Sequence, residues 1–262
     1  MNYENIIVAM AEGVVTITFN RPKALNALNS ALLEELSSAV DDIAQTADAR
    51  VLILTGAGDK AFIAGADIKE LATLTALQAK LFARSGQEVI DKIAALPFPV
   101  IAAVNGYALG GGTEMALACD FIYAAEAASL GLPETTLGLI PGFGGTQRLA
   151  RLVGPNRAKE LIYTGRIISA EQALSIGLVN QVFPAEELMG AVDKIANLFC
   201  RRGRVSLREA KEAVNKGLNT DLATGLKIEQ DAFALCMVSD DAKEGTAAFI
   251  EKRKPDFKGT LG

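Results

Sequence analysis

Strand-like segments alternate with helical ones along this chain as far as residue 183, and the strand signal then stops. Residues 14–19 alternate, with Val15, Ile17 and Phe19 on one face and Val14, Thr16 and Thr18 on the other, the period of a half-buried strand. Leu32, Leu33, Leu36, Val40 and Ile43 recur at helical spacing, with Asn29 or Ser30 as N-cap. Apolar runs at 51–55, 100–104 and 121–124 read as further strands, and 178–183 as a last one. Between them, residues 76–96 read as a helix with Leu77, Leu81, Val89, Ile90 and Ile93 as its core positions. Residues 60–69 read as a loop, 133–137 as a short helical turn, and 111–119, 142–152, 155–163 and 169–176 as helices. After Pro184 the segments 185–201, 205–216, 220–237 and 239–252 all read as helices. Such a pattern predicts an α/β layered core followed by a helical appendage. Leu226, Ile228, Phe233, Leu235 and Met237 give that appendage more apolar surface than a solvated lid needs, which points to a subunit interface.

Composition narrows the function. The chain has 262 residues, 26 Lys+Arg against 31 Asp+Glu and a net charge of −5, so no general basic surface invites nucleic acid. No apolar run reaches the ~18 residues of a membrane span. Three widely spaced cysteines form neither a disulfide framework nor a metal-ligand pattern, and the expected compartment is the cytoplasm. Histidine is absent altogether. That excludes Ser-His-Asp and Cys-His machinery and leaves proton transfer near pH 7 to carboxylates, Lys, Tyr or Cys.

Against this background one segment stands out. Residues 98–114 read Phe-Pro-Val-Ile-Ala-Ala-Val-Asn-Gly-Tyr-Ala-Leu-Gly-Gly-Gly-Thr-Glu, an uncharged strand-like run that ends in three glycines and a glutamate. Bare backbone admits a ligand closely. A helix starting there turns its free N–H groups toward negative charge. Donors for an oxyanion and the carboxylate of Glu114 thus fall within one turn. Glu134, in Gly-Leu-Pro-Glu-Thr-Thr-Leu-Gly, is a second carboxylate beside a turn. Facing one substrate, two such groups are driven apart in pKa and become an acid and a base. Two further glycine-rich loops, 62–70 with small residues at 64–66 and 140–148, either admit a ligand or merely turn the chain into the next helix. The segment 105–112 lacks the dinucleotide-binding glycine spacing.

Taken together these segments resemble the enoyl-CoA hydratase (crotonase) family over nearly the whole chain. The matching stretches are Asn-Arg-Pro-Lys-Ala-Leu-Asn-Ala at 20–27, Ala-Phe-Ile-Ala-Gly-Ala-Asp-Ile-Lys-Glu at 61–70, residues 99–114, Pro133-Glu134, Gly-Leu-Ile-Pro-Gly at 138–142, Gly-Gly-Thr-Gln-Arg at 144–148, and Phe-Ile-Glu-Lys-Arg-Lys at 249–254. The resemblance implies an α/β crotonase-like core of repeated ββα units, taken as residues 1–200 with the acyl-CoA site. It implies a C-terminal helical trimerisation region, residues 201–262, and a trimer or dimer of trimers. It places an oxyanion hole on the N–H groups of Ala66 and Gly111 and makes Glu114 and Glu134 the acids that handle water. Backbone around Lys23, Ala24 and Leu25, with Asp67 and Ile68, would contact the CoA moiety; Gly142 would line the acyl pocket, and Ala64, Gly110, Pro133 and Leu139 would be further substrate- or CoA-binding positions. Phe249 and Lys252 would reach CoA from the C-terminal region.

The implied reaction is reversible syn hydration of a short-chain trans-2-enoyl-CoA, a hydro-lyase step of fatty-acid β-oxidation. It needs no metal and no cofactor, since CoA is part of the substrate. The expected partners are an acyl-CoA thioester and further copies of the chain, with neither nucleic acid nor membrane. Leu132 departs from the family pattern, where mitochondrial-type hydratases commonly carry Gln. It keeps open an isomerase or a hydratase of branched or cyclic acyl groups. A non-enzymatic RNA-associated relative is the remaining alternative, motivated only by the basic tail at 252–254.

Overall fold

A computed structural model describes residues 3–259. Its strands are β1 (Ile6–Ala11), β2 (Val14–Phe19), β3 (Val51–Gly56), β4 (Ala61–Ala64), β5 (Val100–Val104), β6 (Tyr107–Leu109), β7 (Phe121–Ala125), β8 (Ser129–Gly131), β9 (Ile168–Ser169) and β10 (Gln181–Phe183). The helices are α1 (Ser30–Gln45), α2 (Ile68–Leu71), α3 (Ala76–Ala94), α4 (Gly111–Ala116), α5 (Gly145–Val153), α6 (Pro155–Thr164), α7 (Ala170–Ser175), α8 (Ala185–Cys200), α9 (Arg204–Gly217), α10 (Leu222–Val238) and α11 (Asp240–Ile250). Short 3-10 helices span Pro22–Ala24 and Pro133–Leu137.

Two compact units result. One runs through residue 96 and from 100 to 194; the other holds residues 97–99 and the chain from 195 onward. The first contains a six-stranded sheet in the order β1-β2-β3-β5-β7-β10 and a four-stranded sheet in the order β4-β6-β8-β9. Pairing is parallel except at β1–β2 and β8–β9. Each repeat sends its first strand to the large sheet (β3, β5, β7) and its second to the small one (β4, β6, β8), which is the ββα organisation implied by the family motifs.

The large sheet forms because its central strands are apolar on both faces. Every residue of β3 and of β5 is buried, as parallel strands covered on two sides require. Helix α1 lays Leu32, Leu33, Leu36, Val40 and Ile43 onto the core, and the side chain of Asn29 caps it by accepting the Leu32 N–H at 3.0 Å. Phe19 and Phe62 join the two sheets in an edge-to-face pair with centroids 5.4 Å apart.

Some expectations are corrected. The presumed loop at 60–69 contains β4 and the short helix α2. β1, β6, β8 and β9 have no counterpart in the sequence reading. Leu77 and Leu81 are exposed at 67% and 55%, so the buried stripe of α3 runs instead through Gly86, Val89, Ile90 and Ile93. The helix placed at 142–152 begins at Gly145, because Gly144 at φ +109° cannot continue it backward. In the second unit α9, α10 and α11 follow as expected; Leu226, Phe233, Leu235 and Met237 are all exposed.

Candidate active site

Three chain segments leave the C-terminal ends of β4, β6 and β8 side by side. This is where parallel α/β sheets place ligands. Ala64 pairs with Leu109, and Leu109 with Gly131. Continuing each register by two residues sets Ala66 opposite Gly111 and brings residue 133 beside them, with Glu134 next. The contacts agree: a Cβ on Gly110 would lie 3.7 Å from the Gly65 Cα and 2.7 Å from Glu134 Oε1. The Gly110 N–H donates to the Gly131 carbonyl at 2.8 Å. Thr113 locks the arrangement, its hydroxyl 2.6 Å from the Ala108 carbonyl and accepting the Gly131 N–H at 3.1 Å.

The glycine triplet divides its work. Gly110 sits at φ +51°, a conformation that favours glycine, and no side chain fits between it and Glu134. Gly111 opens α4, so its N–H has no intrahelical partner. Gly112 packs flat on β4: a Cβ there would lie 2.0 Å from the Ile63 carbonyl oxygen. Among the described residues no acceptor takes the N–H of Ala66 or of Gly111. Two adjacent, fixed and unused donors are what an oxyanion needs.

Ala66 is held from the other side by residues 21–28. The Leu28 N–H donates to the Gly65 carbonyl at 2.8 Å, and the Asp67 N–H to the Leu28 carbonyl at 2.7 Å. Asn26, fully buried, accepts the Arg21 N–H and donates to the Ala57 and Ala61 carbonyls. Arg21 donates to the Ala27 carbonyl and pairs with Asp67 at 3.2 Å.

Both carboxylates are desolvated by burial at this place in the fold. Glu114 is only 2% exposed, and its Oε1 accepts the N–H groups of Phe143 at 2.8 Å and Gly145 at 2.7 Å. Burial pushes its carboxyl up to about 7, and the neighbouring Glu134 charge adds to the rise; the two N–H groups and Arg148 pull the other way. Glu134, at the start of its 3-10 helix, is also raised by burial. Its Oε2 is buried without a hydrogen-bond partner among the described residues. A polar atom left so is costly unless a ligand or water completes it.

Of the other expected site residues, Pro133 and Gly110 adjoin Glu134 directly. Ala64 donates its N–H to the Leu25 carbonyl, and Leu25 adopts φ +50°. Lys23 and Leu25 line a cleft of about 270 Å³ with Pro22, Asn26, Gly58 and Lys60. Ala24 ends the 3-10 turn beside it, Asp67 caps α2 and Ile68 is exposed. Gly142 offers its carbonyl to Gln87, while Leu139 is half exposed. Phe249 and Lys252 belong to the second unit, at the end of α11 and just beyond it; Phe249 is exposed and Lys252 has φ +56°. The sequence reading gave no role to Asn26, Thr113 or Arg148. Their positions lay inside recognised motifs, but their work is to hold backbone, which side-chain chemistry alone does not announce.

Comparison with known proteins follows the same line. The model of the enoyl-CoA hydratase/isomerase family matches residues 9–260. The crotonyl-CoA hydratase of Syntrophomonas wolfei is 50% identical, over 98% of this chain and 99% of its own. The short-chain-enoyl-CoA hydratase of Clostridium acetobutylicum is 46% identical, over 97% of each. A crystal structure of enoyl-CoA hydratase from Bacillus anthracis superposes with a TM-score of 0.94 at 50% identity, over 97% of this chain and 99% of that one. The family that the motifs suggested is therefore shown: the chain belongs to the enoyl-CoA hydratase/isomerase family.

Proposed function

We propose that this chain catalyses reversible syn hydration of short-chain trans-2-enoyl-CoA, crotonyl-CoA or a close analogue, to the 3-hydroxyacyl-CoA. The observation that carries the proposal is the buried, unpartnered Glu134 Oε2 beside the unused N–H groups of Ala66 and Gly111.

In this reading the thioester oxygen binds the Ala66 and Gly111 N–H groups. A water lies between Glu114 and Glu134. Glu114, raised by burial to about 7 and with one oxygen pinned by two donors, acts in its ionised form and takes the proton as the water oxygen bonds to Cβ. The alkene electrons move onto the thioester oxygen as an enolate, where the two donors and the N-terminus of α4 stabilise it. In comparable sites one such donor is worth about 3–4 kcal/mol. Glu134, raised by burial and with its Oε2 unpartnered, delivers its proton to Cα. The pair holds one proton before and after, and the next bound water resets it.

A short acyl group fits the surroundings. The Phe143 ring is buried, with its Cδ2 3.4 Å from where a Cβ on Gly111 would sit. Leu132 is buried against Gly145, behind the loop that holds Glu114, so it belongs to the wall of the site rather than to its polar groups. Lys23 and Lys60 at one cleft suit the phosphates of CoA. Neither metal nor redox cofactor enters the scheme. The proposal extends to a trimer or dimer of trimers built on the exposed apolar residues of α10 and α11, which light scattering will test, and to a cytoplasmic location. No helix among the described residues is long and apolar enough to cross a membrane.

Loss of the conjugated-thioester absorbance of crotonyl-CoA is the direct assay. Glu134→Gln should lower kcat by about 10²–10⁴. Wild-type protein without turnover, or a variant with undiminished turnover, would refute the proposal. Comparing kcat/KM across linear C4 to C6 and branched or cyclic substrates settles the effect of Leu132.

A further inference from the structure

Glu114 is held by a loop, so whatever holds the loop also sets Glu114. Residues 142–145 are tied at several points to α3. The Phe143 carbonyl accepts Arg148 Nη1 at 3.2 Å, and Arg148 Nη2 donates to Asp91 of α3. One turn earlier on α3, Gln87 Nε2 donates to the Gly142 carbonyl at 2.8 Å. Gly86 leaves room for the Phe143 ring, because a Cβ there would lie 2.3 Å from Phe143 Cε1. Phe82 packs on the same ring, with centroids 5.3 Å apart.

The guanidinium also lies across Gly144. A Cβ on that residue would meet Arg148 Nη1 at 2.1 Å. Arg148 thus occupies the space that the bare glycine at φ +109° leaves open, between the two residues whose N–H groups reach Glu114.

We propose that Arg148, anchored by Asp91, is a positioning residue for Glu114: it clamps the Phe143 carbonyl so that the Phe143 and Gly145 N–H groups stay aimed at one carboxylate oxygen. Arg148 does not touch the reacting atoms, and α3 acts as the brace. The inference rests on the hydratase reading for its kinetic readout. The charges facing this network are Asp91 from α3, Glu114 from α4 and Glu134 from the 3-10 helix. The charge of Arg148 favours ionised Glu114. Its loss therefore leaves less of Glu114 in the ionised, proton-accepting form and also loosens its placement.

The test combines Arg148→Gln, Asp91→Asn and the double variant, assayed with crotonyl-CoA across pH. Arg148→Gln should lower kcat about 10- to 100-fold, the cost of a small misplacement of a reacting group. KM should change little, and the acid limb of kcat/KM should move to higher pH. Asp91→Asn, at an exposed residue, should do the same to a smaller extent without lowering Tm. The double variant should be no worse than Arg148→Gln alone, because Asp91 acts through Arg148. Additive losses, a KM rise without a kcat loss, or an unmoved acid limb would overturn the proposal. Should Arg148→Gln not fold, Asp91→Asn decides: wild-type kcat and pH profile overturn it, and a loss with a shifted limb supports it. Wild-type protein without hydratase turnover refutes the hydratase reading instead. Amide exchange then judges the clamp: faster exchange at Phe143 and Gly145 in Arg148→Gln or Asp91→Asn supports it, and unchanged exchange overturns it.

Discussion

Replacing Glu114 with Gln should abolish turnover and yet make the protein more stable at alkaline pH. Glu114 sits at about 7 when folded, against 4.5 for a free carboxyl, and desolvation is the main cause. A group whose pKa is raised by folding favours the folded state fully below its unfolded pKa. That contribution is lost as pH climbs through the folded value. With 1.36 kcal/mol per pH unit, Glu114 alone costs the fold about 3 kcal/mol above pH 8, and about 2.5 kcal/mol of that develops between pH 5 and pH 8. Gln is isosteric, keeps an oxygen for the Phe143 and Gly145 N–H groups, and carries no charge. The difference in stability between variant and wild type should therefore grow by about 2.5 kcal/mol from pH 5 to pH 8. At ~2–4 °C per kcal/mol for a chain of this size, that is about 5–10 °C in Tm. Thermal scans of both proteins at the two pH values, at one protein concentration, measure it. A Tm difference that stays constant with pH, or a variant less stable than wild type at pH 8, would show that Glu114 is not held as a desolvated carboxylate and would refute the reasoning.

Four substitutions probe the backbone of the site. Gly110→Ala places a Cβ 2.7 Å from Glu134 Oε1 at a φ of +51°, so it should displace that carboxylate and lower kcat strongly, while the positive φ costs about 1–3 kcal/mol in urea unfolding. Gly112→Ala meets the Ile63 carbonyl at 2.0 Å and should cost about 3 kcal/mol or more; Gly111→Ala meets the end of Leu28 at 2.9 Å and touches the Phe143 ring at 3.4 Å, and should cost much less in the same titration. Asn26→Ala strands the Arg21 N–H and the Ala57 and Ala61 carbonyls, which should lower stability by about 2–4 kcal/mol and, by loosening residues 64–67, reduce kcat with crotonyl-CoA.

Four strands of the large sheet, β2, β3, β5 and β7, were legible in the sequence because they are five or six residues long, largely apolar and clearly ended, whereas the edge strand β1 was not. β3 and β5 are buried throughout, so their burial is written in every residue. The small sheet was not legible. β4, β6, β8 and β9 are two to four residues long, shorter than any period can be read from, and they exist because their neighbours supply the hydrogen bonds. Leu77 and Leu81 misled because they keep i, i+4 spacing with each other, yet they lie on the side of α3 away from Gly86, Val89, Ile90 and Ile93. The two glutamates could be found because carboxylates carry chemistry. Asn26, Thr113 and Arg148 carry none of their own.

That division has a structural reason, visible where β4 meets β6. Ala61 pairs with Tyr107, but Ile63 pairs with Ala108, so β4 holds one residue more than β6 across that step. Without the extra residue, Ala64 would face Gly110, and Ala66 would fall one position past Gly111. With it, Ala66 comes opposite Gly111, and two N–H groups from separate repeats can share one oxygen. A bulge of this kind re-aims a strand at a functional rim. Phe62 lies within the irregular step, and its burial against Phe19 anchors it to the large sheet. The motif from 61 to 70 names every residue of this turn, yet the pairing that makes Ala66 useful depends on a partner strand more than forty residues away. The chemistry of the site is local to the sequence; its alignment belongs to the register of the second sheet.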